Sequence, residues 1–86
     1  MPVARRHNIK RIMLFGSYAR GEATEASDVD LHIWCGNLRG LFALGGLDTD
    51  LCEALGKDIN IVPHDGMTKK LYESIKDDEV LMYGEV

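Results

Sequence analysis

Two stretches of the chain carry an alternation that a strand would produce. Ile9-Lys10-Arg11-Ile12-Met13-Leu14-Phe15 is an apolar run that stops at Gly16-Ser17, the form of a strand running into a turn. Further on, Val29, Leu31 and Ile33 alternate with Asp28, Asp30 and His32. Side chains two apart on a strand share a face, so the aliphatic trio packs inward from a strand over 28–34. The two aspartates then stand on the other face, roughly 7 Å apart by strand rise. Asp58-Ile59-Asn60-Ile61-Val62, closed by Pro63, repeats the pattern as a third strand, and Val80-Leu81-Met82-Tyr83 is short enough for a sheet edge.

Helices fill the intervals. Val3-Ala4-Arg5-Arg6 ends one, and a helical turn over 17–20 follows Gly16, with Ser17 as its cap. Glu22 to Ser27 is a polar loop. Leu47, Leu51, Cys52 and Leu55 form a stripe at helical spacing, with Asp48 as cap and Gly56 as the stop. A last helix over 68–76 turns Leu71, Tyr72 and Ile75 inward. Between 35 and 46 lie Gly36, Gly40, Gly45 and Gly46, which read as a flexible connection pinned by Leu38, Leu41, Phe42 and Leu44. The expected class is α/β (α+β): a small mixed sheet with helices on one face and polar residues on the other.

The polar residues suggest chemistry. Like charges side by side destabilise a sheet unless a cation lies between them, and Mg²⁺ accepts hard oxygen ligands while keeping places for phosphate and water. Gly16 lets the backbone approach a ligand closely because it lacks a Cβ. A helix beginning at Ser17 turns free N–H groups toward an anion. A Gly-Ser turn beside paired aspartates therefore suits a metal-chelated nucleoside triphosphate. Arg20 is placed to steady the phosphates or, equally, to pair with Glu22 or Glu25.

Gly16-Ser17, Ala19-Arg20-Gly21 and Ser27-Asp28-x-Asp30-Leu31 together resemble the signature of the minimal nucleotidyltransferases of the DNA polymerase beta superfamily. The likeness runs from Ile9 to about Tyr83. It implies the nucleotidyltransferase fold, Asp28, Asp30 and Asn60 at the catalytic positions, Asp28 and Asp30 as Mg²⁺ ligands, and Gly16, Ser17 and Arg20 as nucleotide-binding residues. It also implies a longer N-terminal helix than this chain carries, so the first helix reads as shortened. Relatives place a third aspartate on the third strand; aligning Leu55-Gly56 with Ile59 and Ile61 puts Asn60 there, an amide with no negative charge. That change is expected to weaken the catalytic metal site, with Asp58 as a distant substitute.

Proteins of this appearance are typically antitoxins that transfer AMP from ATP onto a hydroxyl of a helical HEPN-type RNase toxin. The resemblance thus implies an adenylyltransferase with such a partner. The alternative is a catalytically weakened module that neutralises the partner by binding alone. A small-molecule nucleotidyltransferase would normally need an additional helical domain.

Composition narrows the field. At 86 residues, with 45% hydrophobic and 28% charged residues, the chain suits one domain, taken as 1–86. A net charge of −4 argues against a broad nucleic-acid surface. No apolar run reaches membrane-spanning length, so the expected location is the cytoplasm. Cys35 and Cys52 have no metal or redox spacing and are expected to be reduced and passive. His7, His32 and His64 lack ligand spacing; strand parity puts His32 beside the aspartates, hydrogen-bonded and partly exposed. Nucleoside triphosphate and the toxin are the expected partners, with a second copy of the chain the remaining one considered.

Overall fold

The computed structural model describes residues 2–36 and 40–84. Leu38, expected to pin the glycine-rich segment, lies outside them. The described elements are α1 (Pro2–Arg6), β1 (Arg11–Phe15), α2 (Ser17–Arg20), β2 (Val29–Trp34), α3 (Leu41–Leu55), β3 (Ile59–Pro63), a 3₁₀ turn at His64–Gly66, α4 (Lys69–Ile75) and β4 (Val80–Tyr83). The strands form one mixed sheet in the order β3-β2-β1-β4. β1 runs antiparallel to β2, with Phe15 opposite Asp30 and Arg11 opposite Trp34. β3 is parallel to β2 and sets Asn60 opposite Asp30. β4 pairs antiparallel with β1 at the edge.

The alternation read from β2 is realised. Val29, Leu31 and Ile33 are buried with Ile12, with Val3 and Ala4 of α1, and with Leu47 and Leu51 of α3. Ile59 and Ile61 pack against the margin of this core. Each fully buried leucine contributes about 1.5–3 kcal/mol, which makes Leu47 and Leu51 the main fasteners of α3.

That burial explains why α3 begins at Leu41, six residues before the expected start. Gly40, at φ 87°, ends the preceding chain, and Gly45 and Gly46 lie inside the helix. A helical glycine costs roughly 0.5–1 kcal/mol relative to alanine. Leu44, Leu47 and Leu51, three and four residues apart, offset this by packing on the sheet. Phe42 pins nothing, being fully exposed. Asp48 is not a cap but sits within the helix, accepting a weak bond from the Cys52 thiol at 3.7 Å. Gly56 ends the helix in the left-handed conformation, as expected.

Two further expectations change. Gly16, not Ser17, is the N-cap of α2, and no side chain caps that turn. In α4, capped by Thr68 Oγ1 on the Leu71 N–H at 3.1 Å, Ile75 is buried while Leu71 and Tyr72 remain partly exposed. No helix among the described residues is long and apolar enough to cross a membrane.

Candidate functional site

The end of β1, the start of β2 and the start of β3 meet at Asp30. Gly16 follows Phe15 at φ 76°, ψ −153°, a backbone region open essentially to glycine alone. A Cβ at Gly16 would overlap Asp30 Oδ2. The turn therefore closes on the carboxylate in a way that excludes any side chain. The other oxygen, Asp30 Oδ1, accepts a hydrogen bond from Asn60 Nδ2 at 3.1 Å. Both oxygens of Asp30 are thus placed, one by the missing Cβ and one by the amide.

Asp28 is exposed at the entrance to β2, and Asp58 occupies the matching position before β3, its carbonyl accepting from the Val29 N–H at 2.9 Å. Ser27, Asp28, Cys52, Lys57 and Asp58 line a cleft of about 430 Å³. Ser17 opens α2 directly after the turn. Arg20, at the end of α2, is held by Glu22 at 3.3 Å and Asp78 at 3.4 Å rather than by Glu25. Among the described residues neither Asp28 nor Asp30 forms an ion pair. Nor does a third carboxylate, histidine or cysteine complete a metal-binding group there. One carboxylate on the strand, Asp30, with Oδ2 against the glycine turn, and a second, Asp28, exposed just before it, fit a hard divalent cation that keeps water and phosphate in its shell.

A second polar group on the same sheet face was not foreseen. His32 is fully buried, contrary to the partial exposure expected of it. Its Nδ1 lies 2.5 Å from Glu79 Oε2, and its Nε2 lies 2.9 Å from His64 Nδ1. Burial holds the His32 ring below the ordinary imidazole pKa despite the Glu79 carboxylate beside it. Trp34 stacks on His32 and His64, with ring centroids at 3.9 and 4.6 Å, and Arg11 sits 3.7 Å over the indole. Tyr72 closes the cluster edge-on. The sequence held a partial signal. Met13 and Phe15 share this face by register with His32 and Asp30, so the unbroken apolar run of β1 implied cover on both sides. Glu79, 47 residues from His32, had none.

Another set of ionisable groups is structural. His7 and Arg6 reach Asp50 at 2.6 and 3.3 Å, tying α1 to α3 and drawing the carboxyl below its usual range, His7 first. Cys35 and Cys52 are free thiols, and burial pushes the Cys52 thiol up.

A family model described as "Polymerase beta, Nucleotidyltransferase" matches residues 2–85. The chain belongs to this family. One similar protein is MJ0435 of Methanocaldococcus jannaschii, named by assignment as a protein adenylyltransferase. The two are 34% identical over 80 residues, covering 93% of this chain and 86% of MJ0435. A solved structure assigned as a minimal nucleotidyltransferase is 33% identical, with a TM-score of 0.81 over 94% of this chain and 83% of that one. A second similar structure is the Shewanella oneidensis complex of a tri-AMPylated HEPN toxin with its MNT antitoxin. It is 21% identical, with a TM-score of 0.72 over 98% of this chain and 66% of that one, a likeness of fold.

Proposed function

We propose that this polymerase beta family member is an antitoxin that transfers AMP from ATP to a hydroxyl of a HEPN-type toxin. The carrying observation is the closure of the Gly16 turn on Asp30, which joins a backbone suited to phosphate with a carboxylate suited to its counter-ion. The name of MJ0435 supports adenylyl transfer, and the Shewanella complex supports a HEPN-type partner.

In this reading Gly16 and Ser17 receive the triphosphate through backbone N–H groups, and Arg20 turns from Glu22 and Asp78 toward it. Asp28 and Asp30 would hold Mg²⁺, which when bound would neutralise phosphate charge. The acceptor oxygen bonds to the α-phosphorus in line, the bond to the bridging oxygen breaks, pyrophosphate departs and the hydroxyl proton passes to solvent. The rest is positioning and charge neutralisation.

One observation favours a second reading, a module that neutralises the toxin by binding alone. Asn60 presents Nδ2–H to Asp30 where the family's third carboxylate is expected, so the charge that would complete a catalytic metal site is replaced by a donor. Calorimetry with ATP and Mg²⁺, and transfer from labelled ATP to the cognate toxin, test both. ATP binding that is lost in Asp28→Asn/Asp30→Asn is expected, together with slow transfer. Equal binding by wild type and this variant would refute the metal site; tight toxin binding with no transfer would leave the second reading standing.

A further inference from the structure

At the end of the sheet remote from Asp30, Lys10, Arg11, Trp34, Tyr83 and Gly84 line a groove of about 660 Å³. Arg11 faces Trp34 across the ladder whose other end pairs Phe15 with Asp30. Four residues of strand, roughly 13 Å, separate the two ends.

Three features shape this groove. Gly84, at φ 93°, lies so close to β1 that a Cβ would overlap the Lys10 carbonyl and stand 3.1 Å from Arg11 Cα, so the end of β4 sits flush as a floor. The Arg11 guanidinium lies 3.7 Å over the Trp34 ring, and that ring stacks on His32 and His64. His32 is fixed in turn by Glu79, whose side chain is only 5% exposed. A guanidinium plane seated on an indole can present its second face to another flat ring. Charge is distributed unevenly as well. The first 21 residues hold five of the ten Lys and Arg and none of the 14 Asp and Glu. Of those five, Arg6 is committed to Asp50 and Arg20 to Glu22 and Asp78, whereas Lys10 is exposed at the groove.

We propose that this groove is a second ligand site that takes one nucleotide unit, with its base extending the Trp34–Arg11 stack beside Tyr83 and its phosphate toward Lys10. The volume falls within the roughly 300–1,000 Å³ of small-molecule sites. Lys10 supplies the counter-charge, so no metal is required. Adenosine alone would leave Lys10 unused, and inorganic phosphate alone would leave the stack unused. The unit can be a free mononucleotide or the terminal residue of a strand.

Trp34 is the chain's single tryptophan and so reports on its own stack. The test titrates the full chain with AMP, short oligoadenylate, adenosine and inorganic phosphate in EDTA, following indole emission and backbone amide shifts. AMP is expected to change the emission saturably and to shift Lys10, Arg11 and Gly84. Adenosine and phosphate should each bind at least about tenfold more weakly. Lys10→Glu, an exposed substitution, should weaken AMP by about 10–100-fold, the scale of a lost charge-assisted hydrogen bond. Lys10-dependent binding of oligoadenylate but not AMP would identify the unit as a strand terminus. Phosphate binding as well as AMP, an unaffected Lys10→Glu, no binding by either nucleotide form, or shifts confined to Gly16, Ser17 and the aspartates would each overturn the proposal.

Discussion

Replacing Asn60 with aspartate tests the site at its most unusual contact. In the wild type the amide donates to Asp30 Oδ1 at 3.1 Å; in Asn60→Asp a second anion stands there instead. Two unit charges about 4 Å apart repel by about 1 kcal/mol in bulk water and about 4 kcal/mol at an effective dielectric near 20. Asn60 is exposed and Asp30 half-buried, which places the repulsion near the lower end, about 1–2 kcal/mol. The lost hydrogen bond adds roughly 0.5–1.5 kcal/mol. Without divalent cations the variant should therefore lose about 1.5–3.5 kcal/mol, or roughly 6–28 °C in Tm for a chain of this size. Millimolar Mg²⁺ should restore most of that loss, because a cation between the carboxylates binds the folded form alone. Differential scanning calorimetry in EDTA and in Mg²⁺ measures both effects. Equal Tm values for the two proteins in EDTA would mean that Asn60 does not stand against Asp30. In the transfer assay Asn60→Asp should raise the rate by on the order of 10²–10⁴-fold. A fast wild type that Asp58→Asn abolishes would transfer the third-carboxylate role to Asp58.

Three other outcomes follow from the geometry. Gly16→Ala forces a Cβ onto Asp30 Oδ2 at a strained backbone angle and should cost about 1–3 kcal/mol together with ATP binding. Gly21→Ala, left-handed but with no neighbour within 4 Å, should cost about 1–2 kcal/mol and keep ATP affinity, as denaturation and calorimetry would show. Glu79→Ala strands the Nδ1 of buried His32 and should cost about 1–3 kcal/mol, measured by urea denaturation; a neutral result would argue against the buried pair. His32 has a folded pKa below its unfolded value of 6.5. Its contribution to stability is therefore fully present above that value and falls as pH drops toward the folded pKa. Tm should decline below about pH 6.5, and less steeply in His32→Leu.

The sequence was most readable where local chemistry and long-range packing agree. Val29, Leu31 and Ile33 alternate with polar residues because one face of β2 is core and the other is not, and period two reports that directly. It was least readable at α3, where local propensity and packing disagree. Gly45 and Gly46 speak against a helix, and only the sheet beneath Leu44, Leu47 and Leu51 overrules them.

Asp30 and His32 divide along the same line. Asp30 lies between Gly16 and Asn60, and each of these was legible. A glycine ending an apolar run marks a turn, and the Ile-x-Ile bracket around Asn60 fixes its face. Register then joins them, since Phe15 and Asn60 both pair with Asp30, so the site assembles from local signals once the strand order is known. His32 is two residues along the same strand face, yet its environment is set by Glu79 and Tyr72, which belong to a later turn and helix. Parity could place His32 beside the aspartates but could not say whether that face was open. The sheet answers by position: at Asp30 the face is left to the glycine turn, and two residues further on, the segment from His64 to Glu79 closes over it. A polar residue on this face is therefore exposed or buried according to how far it stands from Gly16, which is why the same alternation that located the acid pair misjudged the histidine.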